Sequence, residues 1–197
     1  MPRDIIKNRQ VVKDHWIHLS DGESATTTKF IVSLTRWKEE GRDLLAKGHN
    51  VGVRLEATDD ARELADDVPE LELIALNFEK FTDGRSYSHA RILREHLGYR
   101  GELRAVGDVL RDQLFIMARC GINAFEMRSD QNPEESLRAF ETFSVRYQAA
   151  ADQRYPAFRR TPEARHSSAD LTSRAPRPAA SPQAVKDARK SVLYPPL

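Results

Sequence analysis

Between Val51 and Arg128 short apolar runs alternate with helix-length segments, and this alternation narrows the fold more than any other feature of the chain. Val51-Gly52-Val53-Arg54-Leu55-Glu56 reads as a strand, and Asp59-Asp60 opens a helix over Ala61–Asp67. Leu71–Asn77 is nearly all apolar, as a strand buried on both faces must be. A helix capped by Thr82 or Asp83 runs to about Leu97 and stops at Gly98. Glu102–Val106 is the next strand, and Asp108 caps a helix to about Cys120 that stops at Gly121. Ala124–Arg128 is the last strand. Asn132-Pro133-Glu134-Glu135 starts a final helix ending near Ala151, with proline where its missing N–H costs nothing.

Strands separated by helices of this length require right-handed crossovers. The predicted fold is therefore α/β, a mainly parallel sheet of four to five βα units. That is too few for an eight-fold barrel, so an open three-layer or half-barrel-like sheet is expected. Upstream, Gln10–Leu19 and Lys29–Leu34 read as extended segments around the turn Ser20–Ser24, forming an N-terminal β-hairpin-like edge. Thr35–Lys47 is a helix with Trp37, Leu44 and Leu45 inward.

The composition changes after Tyr155. Seven of the ten prolines lie in Pro156–Leu197, where eight Lys or Arg face three Asp or Glu, a balance of +5 against −4 for residues 1–155. Such a segment cannot bury enough apolar surface to offset its ordering entropy. The expected division is an α/β domain over 1–155 and a disordered, basic, proline-rich tail over 156–197. The more apolar end, Ser191–Leu197, has the composition of a docking peptide.

The formal charge of +1 gives no overall pull toward nucleic acid or acidic membranes. No apolar run approaches a bilayer span and the N-terminus lacks the apolar region of a signal peptide, so a cytoplasmic location is expected. The one cysteine, Cys120, excludes an internal disulfide and a cluster ligated by this chain alone. His15 and His18 sit at opposite strand parity and His89 and His96 are seven apart, so no metal is expected. No phosphate loop, dinucleotide fingerprint or nucleophile elbow is present, so no cofactor is assigned and catalytic residues are unknown.

Ligands of parallel α/β sheets bind beyond the carboxyl ends of the strands. Three such junctions here are densely charged: Phe78–Arg85, Gly107–Gln113 and Arg128–Asn132. Lys80, Asp83, Arg85, Asp108, Arg111 and Arg128 are the candidate ligand-binding residues, forming an anion crevice for a phosphate, sulfur oxyanion or carboxylate. The acids Asp83, Asp108 and Asp130 are equally explained as helix caps. First-turn cations at Arg85 and Arg111 oppose the helix dipole, which caps do not explain. The helix Asp108–Cys120 is apolar over most of its circumference, so packing within the chain and a homodimer contact both stay open.

Phe81-Thr82-Asp83-Gly84-Arg85-Ser86-Tyr87-Ser88, Ala90–Glu95, Gly101–Gln113 and Arg119-Cys120-Gly121 resemble an uncharacterised bacterial family. Its common label is probable oxidoreductase involved in sulfite reduction. The likeness runs from about Gln10 to Tyr147, including Trp37 and Val51–Leu55, and leaves out the tail. It implies a role in assimilatory sulfite reduction through pathway association, and it supplies no catalytic residues to carry over. The expected function is an accessory protein docking on sulfite reductase or its electron donor. The alternative is a small enzyme or ligand-binding protein using the anion crevice.

Overall fold

A computed structural model describes residues 3–24, 27–153 and 155–157, all within one unit, Met1–Ala157. The expected tail from residue 158 lies outside the described residues. The strands are β1 (Asp4–Lys7), β2 (Gln10–Lys13), β3 (Ile17–His18), β4 (Lys29–Ser33), β5 (Asn50–Leu55), β6 (Leu73–Phe78), β7 (Glu102–Gly107) and β8 (Ala124–Phe125). The helices are α1 (Leu34–Ala46), α2 (Arg85–Arg91), α3 (Leu114–Arg119) and α4 (Pro133–Ser136).

Local chemistry explains how the units start and stop. Ser33 ends β4, and its hydroxyl accepts the Arg36 N–H at 3.1 Å, capping α1 directly. Leu34, Trp37 and Leu44 give α1 its buried face, and Gly48 follows in the left-handed region at φ 83°. Gly107 has φ 93°, and a Cβ there would lie 2.6 Å from both Asn77 Oδ1 and Phe78 O. Only glycine lets the chain turn so tightly at the end of β7. The expected long helices are mostly shorter: Ala61–Leu64 is a single 3₁₀ turn, α2 passes into a π-helical Ile92–His96, and α4 into a 3₁₀ Leu137–Glu141.

The sheet order is 2-1-8-7-6-5-4-3. β3 through β8 pair in parallel, but β1 runs antiparallel to both β2 and β8. The sheet is therefore mixed, which corrects the expectation of a mainly parallel one. The cause is β1, whose two apolar residues Ile5 and Ile6 sit between charged ones. Asn8 and Arg9, at φ 50° and 63°, form the two-residue turn that fixes Lys7 opposite Gln10. The N-terminal edge hairpin is thus β1–β2, and the segment Gln10–Leu19 is not one strand. Its first part pairs with β1, and its last part pairs with β4 at the other edge of the sheet.

That topology dictates curvature. An eight-stranded flat sheet is about 34 Å across at the usual strand spacing. Lys13 and Ile17, on its opposite edges, are four residues apart and so at most about 14 Å from each other. The sheet curls until its edges nearly meet. Its outer face carries the main core, where Phe30, Val53, Leu76, Leu103 and Phe125 pack with Trp37, Leu64, Leu93 and Met117. A smaller apolar cluster of Ile31, Leu73, Ala75 and Val106, with Trp16 against it, lines the inner face.

Candidate functional site at the mouth of the curled sheet

Strand alternation sends Leu103 and Ala105 of β7 to the outer core and Glu102 and Arg104 to the inner face. A central strand has no solvent side, so those charges must be satisfied inside. Arg104 is 1% exposed. Its guanidinium donates to Glu102 Oε1 at 2.8 Å and to both oxygens of Asp14 at 2.8 and 3.0 Å. Lys7 Nζ lies 2.6 Å from the other Glu102 oxygen. Asp14 also accepts the Trp16 N–H at 3.1 Å, and its own N–H donates to Arg3 O at 2.7 Å. The short link between β2 and β3 is therefore tied to the middle of β7.

Beside this network opens a cavity of about 580 Å³, lined by Arg3, Asp14, His15, Trp16, Ile17, His18 and Glu126. Arg3 precedes β1 and Glu126 follows β8; those strands are antiparallel, so the cavity lies at the carboxyl end of β8. His18 Nε2 and Glu126 Oε2 are 3.0 Å apart, and Arg3 pairs with the other oxygen of Glu126. Burial pulls the His18 pKa down to about 4, and the charges of Arg54, Arg104 and Arg3 reinforce the shift against Asp14. The imidazole is neutral at pH 7 and donates from Nε2 to the carboxylate. His15 and His18, which strand parity places on opposite faces, both line this cavity because the strand is broken at Asp14–Trp16.

A second chain of polar contacts crosses the ends of β5 and β6. Arg54 Nε donates to Glu56 Oε1 at 2.7 Å, Asn77 Nδ2 donates to Glu56 Oε2, and Ser86 Oγ donates to Asn77 O at 2.6 Å. On α2, His89 is buried with Nδ1 unpaired, and burial lowers its pKa.

The six residues nominated from sequence fall into separate groups. Asp83 and Arg85 pair with each other through contacts of 2.6 to 3.2 Å, and the guanidinium holds the Asp83 carboxyl down at about 2. Arg128 bridges Asp108 and Asp130, at 2.7 Å to each, which raises its own pKa and lowers that of Asp130 to about 2. Arg111 joins Arg128 on an open cavity of about 550 Å³ with Leu110, Asp112, Gln131, Ala139 and Thr142. Lys80 is exposed, and among the described residues it and Arg111 make no ion pair. No hydrogen bond or ion pair links Asp83–Arg85 to the Arg111–Arg128 group among the described residues.

The capping roles change with these contacts. Asp108 serves Arg128, and the turn that follows it starts from Leu110. Asn132 caps α4 in place of Asp130, accepting the Glu134 and Glu135 N–H groups. Asp83 accepts the Arg85 N–H, but Gly84 holds the capping position.

Among the described residues, no helix is long and apolar enough to cross a membrane, and no group of three His, Cys, Asp or Glu is placed to hold a metal ion. Cys120 is half-buried at the end of α3, and burial raises its thiol pKa. No curated protein matches the chain. The model of a family described as bacterial protein of unknown function (DUF934) matches residues 52–158, a stretch running from β5 through the nominated loops and past α4. With more than half of the 197 residues inside that match, the chain belongs to this bacterial family of unknown function.

Proposed function

We propose that this protein is an accessory of assimilatory sulfite reduction that docks on sulfite reductase or its electron donor. The pathway comes from the sequence resemblance. The docking reading is supported by exposed apolar side chains. Phe143, which follows the cavity residue Thr142, is 56% exposed, Val145 is 69% exposed, and Ile116 of α3 is 48% exposed. Phe143 packs on Phe115 with ring centroids 5.0 Å apart, which fixes its position without burying it. Exposed aromatic and aliphatic groups beside arginines are the composition of a protein interface.

The test is a binding titration of purified sulfite reductase, and separately its electron donor, against the full chain. Phe143→Ser combined with Arg111→Glu is expected to weaken binding at least about tenfold, while Arg85→Ala leaves it unchanged. Failure of the parent protein to bind either enzyme at low salt removes the proposal.

Arg111 favours a second reading, an anion site at the strand ends, because it lines that cavity without an ion-pair partner among the described residues. Under this reading sulfate or phosphate raises the melting temperature above a chloride control, and Arg111→Ala abolishes the rise.

A further inference from the structure

The cavity at the mouth of the curled sheet shares no lining residue with the cavity of Arg111 and Arg128, and its wall has a bias in hydrogen-bonding capacity. Both carboxylates are engaged. Asp14 is held by Arg104 and the Trp16 N–H, and Glu126 by Arg3 and His18. Beside the acceptor nitrogens of His15 and His18, the capacity left over includes three donors. Arg3 is 61% exposed and spends only part of its guanidinium on Glu126. The Trp16 indole N–H and the His15 imidazole make no hydrogen bond among the described residues. Lys29 adds a charge 5.9 Å from the Trp16 ring, and Arg54 and Arg104 stand behind His18. A wall with spare donors, paired acids and nearby cations takes an acceptor of negative charge.

The cavity also exceeds what a bare ion needs. About 580 Å³ falls in the range of sites for small organic molecules. Ile17 is 45% exposed on its wall, an apolar residue at a strand that ends a sheet. The Trp16 ring packs on the inner apolar cluster, which holds this lining residue in place. Asp14, clamped by Arg104, fixes the segment that carries His15, Trp16 and Ile17, so the wall is set before any ligand arrives.

We infer that the mouth of the curled sheet is a binding site for a small organic acid. Its carboxylate or phosphate meets Arg3, His15 and the Trp16 N–H, and its apolar body lies against Ile17.

The two tryptophans make the test direct, because each gives one indole N–H signal in a nitrogen-15 correlation spectrum. Trp37 is buried and donates to Asp67 at 2.9 Å, remote in role from this cavity, and serves as the internal control. The probes are phenyl phosphate, benzoate, inorganic phosphate and uncharged benzyl alcohol, each added to the full chain at constant ionic strength. Phenyl phosphate or benzoate is expected to shift the Trp16 signal saturably and leave Trp37 in place. Whichever of the two binds more tightly identifies the head group. His15→Ala and Arg3→Ala, both at exposed positions, are expected to weaken that binding at least about tenfold. The inference is overturned if neither acid shifts Trp16 below about 10 mM, a weak limit for a built site. It is equally overturned if benzyl alcohol or inorganic phosphate binds as tightly as the acids, or if the two variants bind them unchanged. No partner protein enters the experiment, so its result is independent of docking.

Discussion

Arg104 and Arg128 make the same contacts in opposite surroundings. Each guanidinium grips two carboxylates, Arg104 at 2.6 to 3.0 Å and Arg128 at 2.7 Å. The Arg104 side chain is 1% exposed and that of Arg128 is 45% exposed. Distance therefore does not separate them; water does. Around Arg128 solvent screens the attraction and stands ready to replace any lost partner. Around Arg104 nothing replaces Asp14, so loss of that partner leaves a buried cation uncompensated. One triad organises the fold, and the other decorates a loop.

The sharpest way to break this comparison is to remove Asp14. Asp14→Ala leaves Arg104 buried with Glu102 alone and frees the link between β2 and β3. A loss of about 3 kcal/mol in unfolding free energy is expected, measured by urea denaturation. Asp14→Asn, which keeps the shape and one acceptor, is expected to fall between the parent and Asp14→Ala. If Asp14→Ala unfolds at the same urea concentration as Arg128→Ala, burial is not what distinguishes the two triads.

Acid separates the same regions by pH. The His18 pKa is about 4 in the folded protein and 6.5 in the unfolded chain. Between those values the unfolded state binds the proton and the folded state does not, so stability falls as pH drops from about 6.5 to 4. The expected loss is about 2 kcal/mol, reduced from the full shift because the side chain is partly exposed. Asp83 and Asp130, held at about 2, contribute their share only from about pH 3.8 downward. Thermal unfolding across pH 2 to 7 reads both windows. His18→Gln is expected to flatten the upper one and leave the lower one intact; an unchanged upper window assigns it to another group.

The legible parts of this molecule are those where local chemistry and burial agree. Leu73–Phe78 is apolar on both faces because it is central, and Ser33, Trp37 and Gly48 mark α1 without help from any distant residue. β1 hides because Ile5 and Ile6 are only two residues between charges, and its place beside β8 depends on a partner more than a hundred residues away. The interior site hides for a related reason. Glu102 and Arg104 lie two apart in a strand flanked on both sides, which is the available sign of an inward-facing charge pair. Asp14 carries no such sign, since its partner is set by the curl of the sheet. Strand-end reasoning located charged loops, yet it could not assign partners among Asp83, Asp108 and Asp130, because capping and ion pairing draw on the same residues.

The smallest expected effect tests the exposed side of the comparison. Arg128→Ala removes both of its ion pairs at once, yet Asp108 keeps its backbone place through the N–H bond to Phe78 O at 2.7 Å, and Asn132 still caps α4. Asp108 and Asp130 are left as carboxylates that water reaches. The melting temperature at pH 7 is expected to stay within about 2 °C of the parent. Asp130 loses the partner that lowers its pKa, so its titration moves up toward the ordinary aspartate range, read by carboxyl carbon NMR. A melting temperature that drops by much more than this, with the same NMR shift, makes the Arg128 triad structural. The contrast with Arg104 then lies in how many elements each cation joins, because solvent no longer explains it.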